Sequence, residues 1–269
     1  MAFIKLHSLN KVGVINLINV IISCYVFLFG LLLGSFFNVC IYRIPKDESI
    51  AFPPSHCTSC NTHLKPIDLL PVFSYIFLKG KCRYCKKKIS PRYAIIELLT
   101  GIIFLGIYLS YGLTFITIKY CVLASFLIVI GMIDYDTSDI YLKTTLSGII
   151  TGVIFALAGY FMGYGLLKYF LGAFLGGGII TIIILITHGM GWGDAEICLL
   201  SGIFLGFKLT IVTLFFSFVL GGIIGILLII SKKKSKKDYM PFGPYIALGA
   251  TVAMLYGDKI IYWYLGKMF

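Results

Sequence analysis

Long apolar runs alternate with short polar connectors along this chain, with a single interruption near the start. Eight runs stand out, at residues 12–41, 94–111, 114–133, 142–161, 167–187, 195–207, 209–230 and 241–265. A helix needs about 20 apolar residues to cross the hydrocarbon of a bilayer, and most of the runs reach or approach that length. The sixth is the shortest, and Lys208 alone divides it from the seventh. Lipid offers no partner for free backbone N–H and C=O groups, so each run is expected to be an α-helix. The pattern therefore predicts an all-α polytopic membrane protein with about eight transmembrane helices. Composition agrees: 59% of the 269 residues are hydrophobic, above the share of a soluble domain.

The interruption spans residues 42–92 and is the one segment both long and polar enough to fold outside the bilayer. It holds six of the eight prolines, which argues for turns rather than long helices. Three segments follow: a first span over 12–41, a small zinc-ribbon-like insertion over 42–92, and a helical membrane domain over 93–269. The first run is too long for the apolar region of a signal peptide and lacks a small-residue cleavage site, so it reads as a retained span.

Net charge is +12, from 23 basic and 11 acidic residues. With eight spans the connectors alternate sides, and one side collects 16 of the 23 basic residues, including those of 42–92 and 232–237. By the positive-inside rule that side is cytoplasmic and both termini lie outside. The basic excess is thus a topology signal, with lipid headgroups as partners and no nucleic acid. The run Lys232–Lys237 reads as an anchor of this kind. Small-residue pairs (Gly30 and Gly34, Gly172 and Gly176, Gly221 and Gly225) fit close helix packing.

Within the insertion, Cys57-Thr58-Ser59-Cys60 and Cys82-Arg83-Tyr84-Cys85 form two CxxC pairs 21 residues apart. Four thiolates at that spacing match the tetrahedral site that Zn²⁺ accepts. Disulfides or a redox pair are the other reading, disfavoured by the cytoplasmic side. A full set of four sulfurs leaves no open position for water, so the zinc would be structural. His56 and His63 flank the first pair, but four sulfurs suffice. Cys24, Cys40, Cys121 and Cys198 lie in apolar runs and read as packing residues.

Acidic residues are scarce, so two at the ends of apolar runs draw attention. Asp134 closes the third run, and Asp194 closes Gly189-Met190-Gly191-Trp192-Gly193-Asp194 before the sixth. A carboxylate at such a place costs a few kcal/mol on insertion. Both fall on the cytoplasmic side, where they could form a dyad that shares a proton, one acid protonated and the other activating water. A helix cap is the plainer explanation of each taken singly. Asp136 and Asp139 read as solvated loop residues or a cap before the fourth span.

A set of blocks in fixed order goes further. They are residues 33–45 (Leu-Gly-Ser-Phe-Phe-Asn-Val-Cys-Ile-Tyr-Arg-Ile-Pro), the two cysteine pairs, residues 89–93 with Glu97 to Gly101, Asp134, Gly191-Trp192-Gly193-Asp194, and Pro241-Phe242-Gly243-Pro244-Tyr245. In these the chain resembles the bifunctional type IV prepilin peptidases, the GxGD class of intramembrane aspartyl proteases. The resemblance implies cleavage of a short basic leader from type IV prepilins or pseudopilins at the cytoplasmic face of the bacterial inner membrane. It carries the two catalytic acids onto Asp134 and Asp194. It also implies N-methylation of the new N-terminus with S-adenosylmethionine, associated with the first span and the zinc loop; Gly80 and Glu97 are the candidate residues there. Two departures stand out. Ile140-Tyr141-Leu142 replaces the family's Ile-Pro or Leu-Pro followed by Asp or Asn, and Ala94 replaces a common proline. A peptidase without methylation, an ion-coupled transporter and a non-catalytic assembly platform are the rival readings; acids at span ends rather than the midplane disfavour the transporter.

Overall fold

The computed structural model describes residues 2–232 and 240–268, and the side chains of 17–232 and 240–267. Lys233 to Lys237 of the expected lipid anchor, and the side chains of Lys5 and Lys11, lie outside these. The helices are α1 (Ala2–Arg43), α2 (Phe73–Phe77), α3 (Arg92–Tyr111), α4 (Phe115–Thr137), α5 (Leu142–Phe161), α6 (Leu167–Thr187), α7 (Trp192–Leu205), α8 (Phe207–Ile230) and α9 (Gly243–Met268). Two 3-10 turns, Ile44–Lys46 and Pro66–Leu69, lie between α1 and α2. No strand forms among the described residues, only two isolated bridges. The protein is all-helical, as the alternation of runs predicts.

Among the described residues, six helices are long and apolar enough to cross a membrane: α1, counted from Leu17, and α3, α4, α5, α6 and α8. The expected count of eight is not reached on these grounds. α7 has only 14 residues, about 21 Å at 1.5 Å per residue, against about 30 Å of hydrocarbon. α9 is long enough, but Asp258, Lys259 and Lys267 interrupt its apolar character.

The chain divides into two compact units. The first comprises residues 1–38 and 54–112, the second 39–53 and 113–269. In the first unit α1 and α3 pack at close range. A Cβ on Gly30 would stand 2.8 Å from the Gly101 Cα, and one on Gly34 2.7 Å from the Glu97 Cα. The small-residue pair therefore does what its spacing suggests, letting two backbones meet.

In the second unit α7 is the centre, packed against α4, α5, α6, α8 and α9. A helix that is apolar on every side is stable only when surrounded, which is the position α7 occupies. Its side chains from Ala195 to Leu205 are buried apart from Glu196 and Leu199. It runs antiparallel to α6: Gly202 lies against the Gly172 carbonyl, and Gly176 against that of Cys198. Gly206, at the far end of α7, reaches Lys168 and Tyr169 at the start of α6. Short as it is, α7 follows α6 to its beginning.

Candidate active site and cysteine cluster

Asp134 lies on the last turn of α4, where the sequence suggested a position just beyond the span. Thr137 ends the helix and Ser138 closes it in the left-handed conformation, its N–H donating to the Asp134 carbonyl. Asp194 is the third residue of α7 rather than the residue before it. Both side chains are buried, at 0% and 1% exposure.

The two carboxylates are held alike. Oδ2 of Asp134 accepts from the Gly243 N–H at 2.8 Å, at the start of α9. Oδ2 of Asp194 accepts from the Gly191 N–H at 3.1 Å, capping its own helix. Oδ1 of each is buried with no hydrogen-bond partner. Buried polar atoms are nearly always paired in folded proteins, so these two orphans, with Ser201 Oγ the third among the described residues, stand out. α4, which carries Asp134, packs on α7, which carries Asp194. The cap and the dyad are therefore not alternatives for Asp194: one oxygen caps while the other stays free.

Two glycines explain how the backbone comes so close. A Cβ on Gly243 would stand 2.7 Å from Asp134 Oδ2, which would block the approach of its N–H. A Cβ on Gly193 would stand 2.4 Å from Cβ of Ile140, from the loop after α4. Ile140, which keeps the family pattern where Tyr141 and Leu142 depart from it, thus packs on the turn that carries Asp194. Tyr141 next to it is the N-cap residue of α5, and no side chain caps that helix. Asp139 is consequently an exposed loop residue, not the cap allowed for, and Asp136 is exposed on α4 itself.

The loop of residues 44–53 belongs to the same unit. Arg43 is 6% exposed and donates to the carbonyls of Ser49 at 2.9 Å and Pro53 at 2.6 Å. Lys143 pairs with Asp47 at 2.9 Å. These contacts tie the loop to the start of α5. Sequence reading did not foresee this role of Arg43, nor the backbone donor at Gly243; the block Pro241 to Tyr245 was the one signal near the latter. Glu196 was missed too: it accepts from the Thr145 hydroxyl on α5, on the other side of α7 from Asp194.

In the first unit the four cysteines of the two CxxC pairs come together, their sulfurs all within 4.8 Å of one another. Sulfurs that share one tetrahedral ion at about 2.3 Å lie about 3.8 Å apart; Cys57 and Cys85 are 3.9 Å apart. The two pairs are built alike. The N–H of Cys57 donates to Thr62 O and that of Asn61 to Cys57 O; the N–H of Cys82 donates to Lys87 O and that of Lys86 to Cys82 O. Asn61 and Lys86 take the same left-handed conformation, φ 54° and 60°. The bridges His56–His63 and Lys81–Lys88 close the two loops.

The set fits a metal ion. The backbone N–H of Ser59 holds the Cys57 thiol below its usual range, and the Cys85 N–H does the same for Cys82. The Thr62 hydroxyl lowers Cys60, whereas Cys85, despite the Lys87 N–H, is pushed up to about 11 by burial and by the three other thiols beside it. Asp68 braces the second pair, accepting from the Tyr84 hydroxyl at 3.0 Å and from Arg83.

Gly80 and Glu97, the methylation candidates, lie in the same unit and are engaged within it. Gly80 has φ +65°, and a Cβ there would stand 2.8 Å from the Tyr75 hydroxyl oxygen. Glu97 is 8% exposed. It accepts from the Val72 N–H at 2.6 Å and from Ser35. Val72 has φ +61°, unusual for a β-branched residue.

Residues 28–111 match the bacterial peptidase A24 N-terminal domain, and residues 121–226 match the type IV leader peptidase family. Among curated proteins, the prepilin leader peptidase/N-methyltransferase of Bacillus subtilis (strain 168) is 34% identical over 243 residues, covering 89% of this chain and 96% of that protein. Its namesake in Neisseria gonorrhoeae is 33% identical, covering 86% and 89%. That of Aeromonas hydrophila is 31% identical, covering 89% and 92%. No solved structure matches. With both domains of the family present in order and relatives of this identity along nearly their whole length, the chain belongs to the type IV leader peptidase family, with the prepilin leader peptidase/N-methyltransferases.

Proposed function

We propose that Asp134 and Asp194 are the catalytic acids of this enzyme, which cleaves the leader of prepilins and N-methylates the product. The observation that carries the assignment is the matched pair of orphan oxygens. Each carboxylate is fixed by one backbone N–H through Oδ2, and each keeps Oδ1 free. With one acid ionised and one protonated, the ionised carboxylate takes a proton from water as its oxygen adds to the scissile carbonyl. The protonated acid gives its proton toward the departing amine as the C–N bond breaks. Water is consumed, and a leader carboxylate and a new N-terminal amine are released.

The four cysteines would hold Zn²⁺ as a structural ion, since all four positions are then filled by protein. The basic residues Lys81, Arg83, Lys86, Lys87 and Lys88 around the second pair would offset the −2 charge of such a centre. S-adenosylmethionine supplies the methyl group for the second activity. Glu97 and Gly80 are already committed to Val72, Ser35 and Tyr75. They therefore act on that region by shaping it rather than by gripping the donor.

On the positive-inside count the aspartates and the cysteine loop face the cytoplasm, in the bacterial inner membrane. Residues 12–41 then form the first span, 42–92 the zinc-binding loop associated with methylation, and 93–269 the peptidase domain. Intact mass of a co-expressed prepilin tests the assignment. Wild type removes the leader and adds one methyl, whereas Asp134→Asn and Asp194→Asn each leave the leader in place. Continued cleavage by both variants would end the two-aspartate mechanism and return the platform reading.

A further inference from the structure

The second unit carries another buried charge, at the opposite end of α4 from Asp134. Lys119 lies 15 residues before Asp134, about 22 Å along the helix axis. It is 3% exposed in an apolar bundle. Its ammonium donates to the Tyr169 hydroxyl at 3.3 Å. It stands 4.6 Å from the centre of the Tyr169 ring and 4.9 Å from that of Tyr120.

A second ammonium shares the same ring. Lys168 is exposed, and its Nζ lies 4.9 Å from the Tyr169 centroid and 5.3 Å from that of Tyr164. Tyr164 stacks on Phe115, the first residue of α4. The N-termini of α4 and α6 therefore meet here, and both present the positive end of a helix dipole. Lys208, just past Gly206, adds a basic residue to this end.

No carboxylate answers these charges. Among the described residues neither lysine is in an ion pair, and Asp258 on α9 is exposed and paired with neither. Ring faces offset only part of the cost of a buried ammonium. Two cations on one ring also repel one another. A methionine would fill the Lys119 position without either cost. An oxyanion at the open side, on Lys168 and within the field of Lys119, would resolve both.

We propose that this end of the unit binds the phosphate of an anionic lipid, with Lys168 as the contact arm, Lys119 as the buried charge and Tyr169 holding the two in register. The chemistry recognised is a phosphate oxyanion. The place, at the end of helices that cross the membrane, makes a lipid headgroup its source rather than free phosphate. The reading is independent of the peptidase assignment.

The test is native mass spectrometry of the full chain released from membranes of phosphatidylglycerol and phosphatidylcholine. Wild type should retain phosphatidylglycerol in preference. Lys168→Gln should lower that retention about fivefold, the effect of about 1 kcal/mol per basic residue near an anionic surface. Lys119→Met with Lys168→Gln should abolish the preference. Prepilin cleavage by Lys168→Gln, whose side chain is exposed and far from the aspartates, should match wild type and report an intact fold. Equal retention by wild type and Lys168→Gln would overturn the proposal, as would equal retention of the two lipids. Displacement of the lipid by inorganic phosphate would overturn the lipid as the source.

Discussion

The aspartate pair and the cysteine cluster are both assembled from residues far apart in sequence, yet they are held by opposite means. Asp134 and Asp194 are buried in helices whose packing fixes them before any ligand arrives, each with a backbone N–H on one oxygen. The four sulfurs sit on two short loops outside the helices, and only Cys82 among them is buried. The bundle builds its site by exclusion of water. The insertion has too small a core for that, and on the proposed reading an ion shared by its four thiols would close it. On the proposed roles the contrast follows: a reaction centre needs pre-set geometry, whereas a structural centre needs only to be filled.

The largest effect that would break this contrast is loss of an acid. Asp134→Asn or Asp194→Asn should reduce leader cleavage by at least about 10²- to 10⁴-fold, the usual worth of a positioned acid or base. Intact mass of the prepilin reads this. Methylation of a substrate supplied already cleaved should persist, and its loss would show that the two activities are not separable.

Removal of the metal should act on the other region. Cys82→Ser, or chelation, should leave the insertion open to proteolysis between residues 54 and 91 and lower metal content well below about one ion per chain, because binding and local folding are coupled in such sites. Limited proteolysis and elemental analysis check it; an insertion equally resistant without metal would refute the contrast.

A smaller effect concerns the backbone around the acids. Gly193→Ala drives a Cβ into Ile140, which stands 2.4 Å from where it would lie. Overpacking of this kind costs about 1–3 kcal/mol. Cleavage should fall with that variant and recover in part with Ile140→Ala added. Gly243→Ala should have no such rescue, because its neighbour is Asp134 itself.

The smallest effect is at Asp68. Burial pushes its carboxyl up, but hydrogen bonds from Arg83 and Tyr84 outweigh that and hold it below the usual range. A depressed carboxyl contributes stability above its unfolded pKa and loses it as pH falls through the folded one. The insertion should thus weaken at acid pH. Arg83→Ala should weaken it at neutral pH, by about 1 kcal/mol or less for a partly exposed pair. Thermal unfolding followed against pH checks both.

Much of the fold is legible in the sequence. The runs 142–161 and 167–187 coincide with α5 and α6 because lipid-facing and buried positions are apolar alike, so a span has sharp ends. α4 was misjudged at its end for the same reason. A reading by apolarity stops at the first carboxylate, whereas the helix continues to Thr137 with Asp134 turned inward. α7 was recognised as a helix, and its 14 residues alone do not confirm it as a span. Its length shows only that it is helical, and its burial depends on five neighbours.

The sequence by itself determined the helices, the topology signal and the two cysteine loops, because each depends on residues close together in the chain. Local spacing also made Asp134 and Asp194 conspicuous as acids in an apolar chain. Only the tertiary structure decided that Asp134 meets the N–H of Gly243, that Ile140 seats the turn of Asp194, and that each acid keeps one oxygen free. Those facts depend on which helices lie side by side. Side-chain packing between distant segments decides that, and no local pattern of residues encodes it.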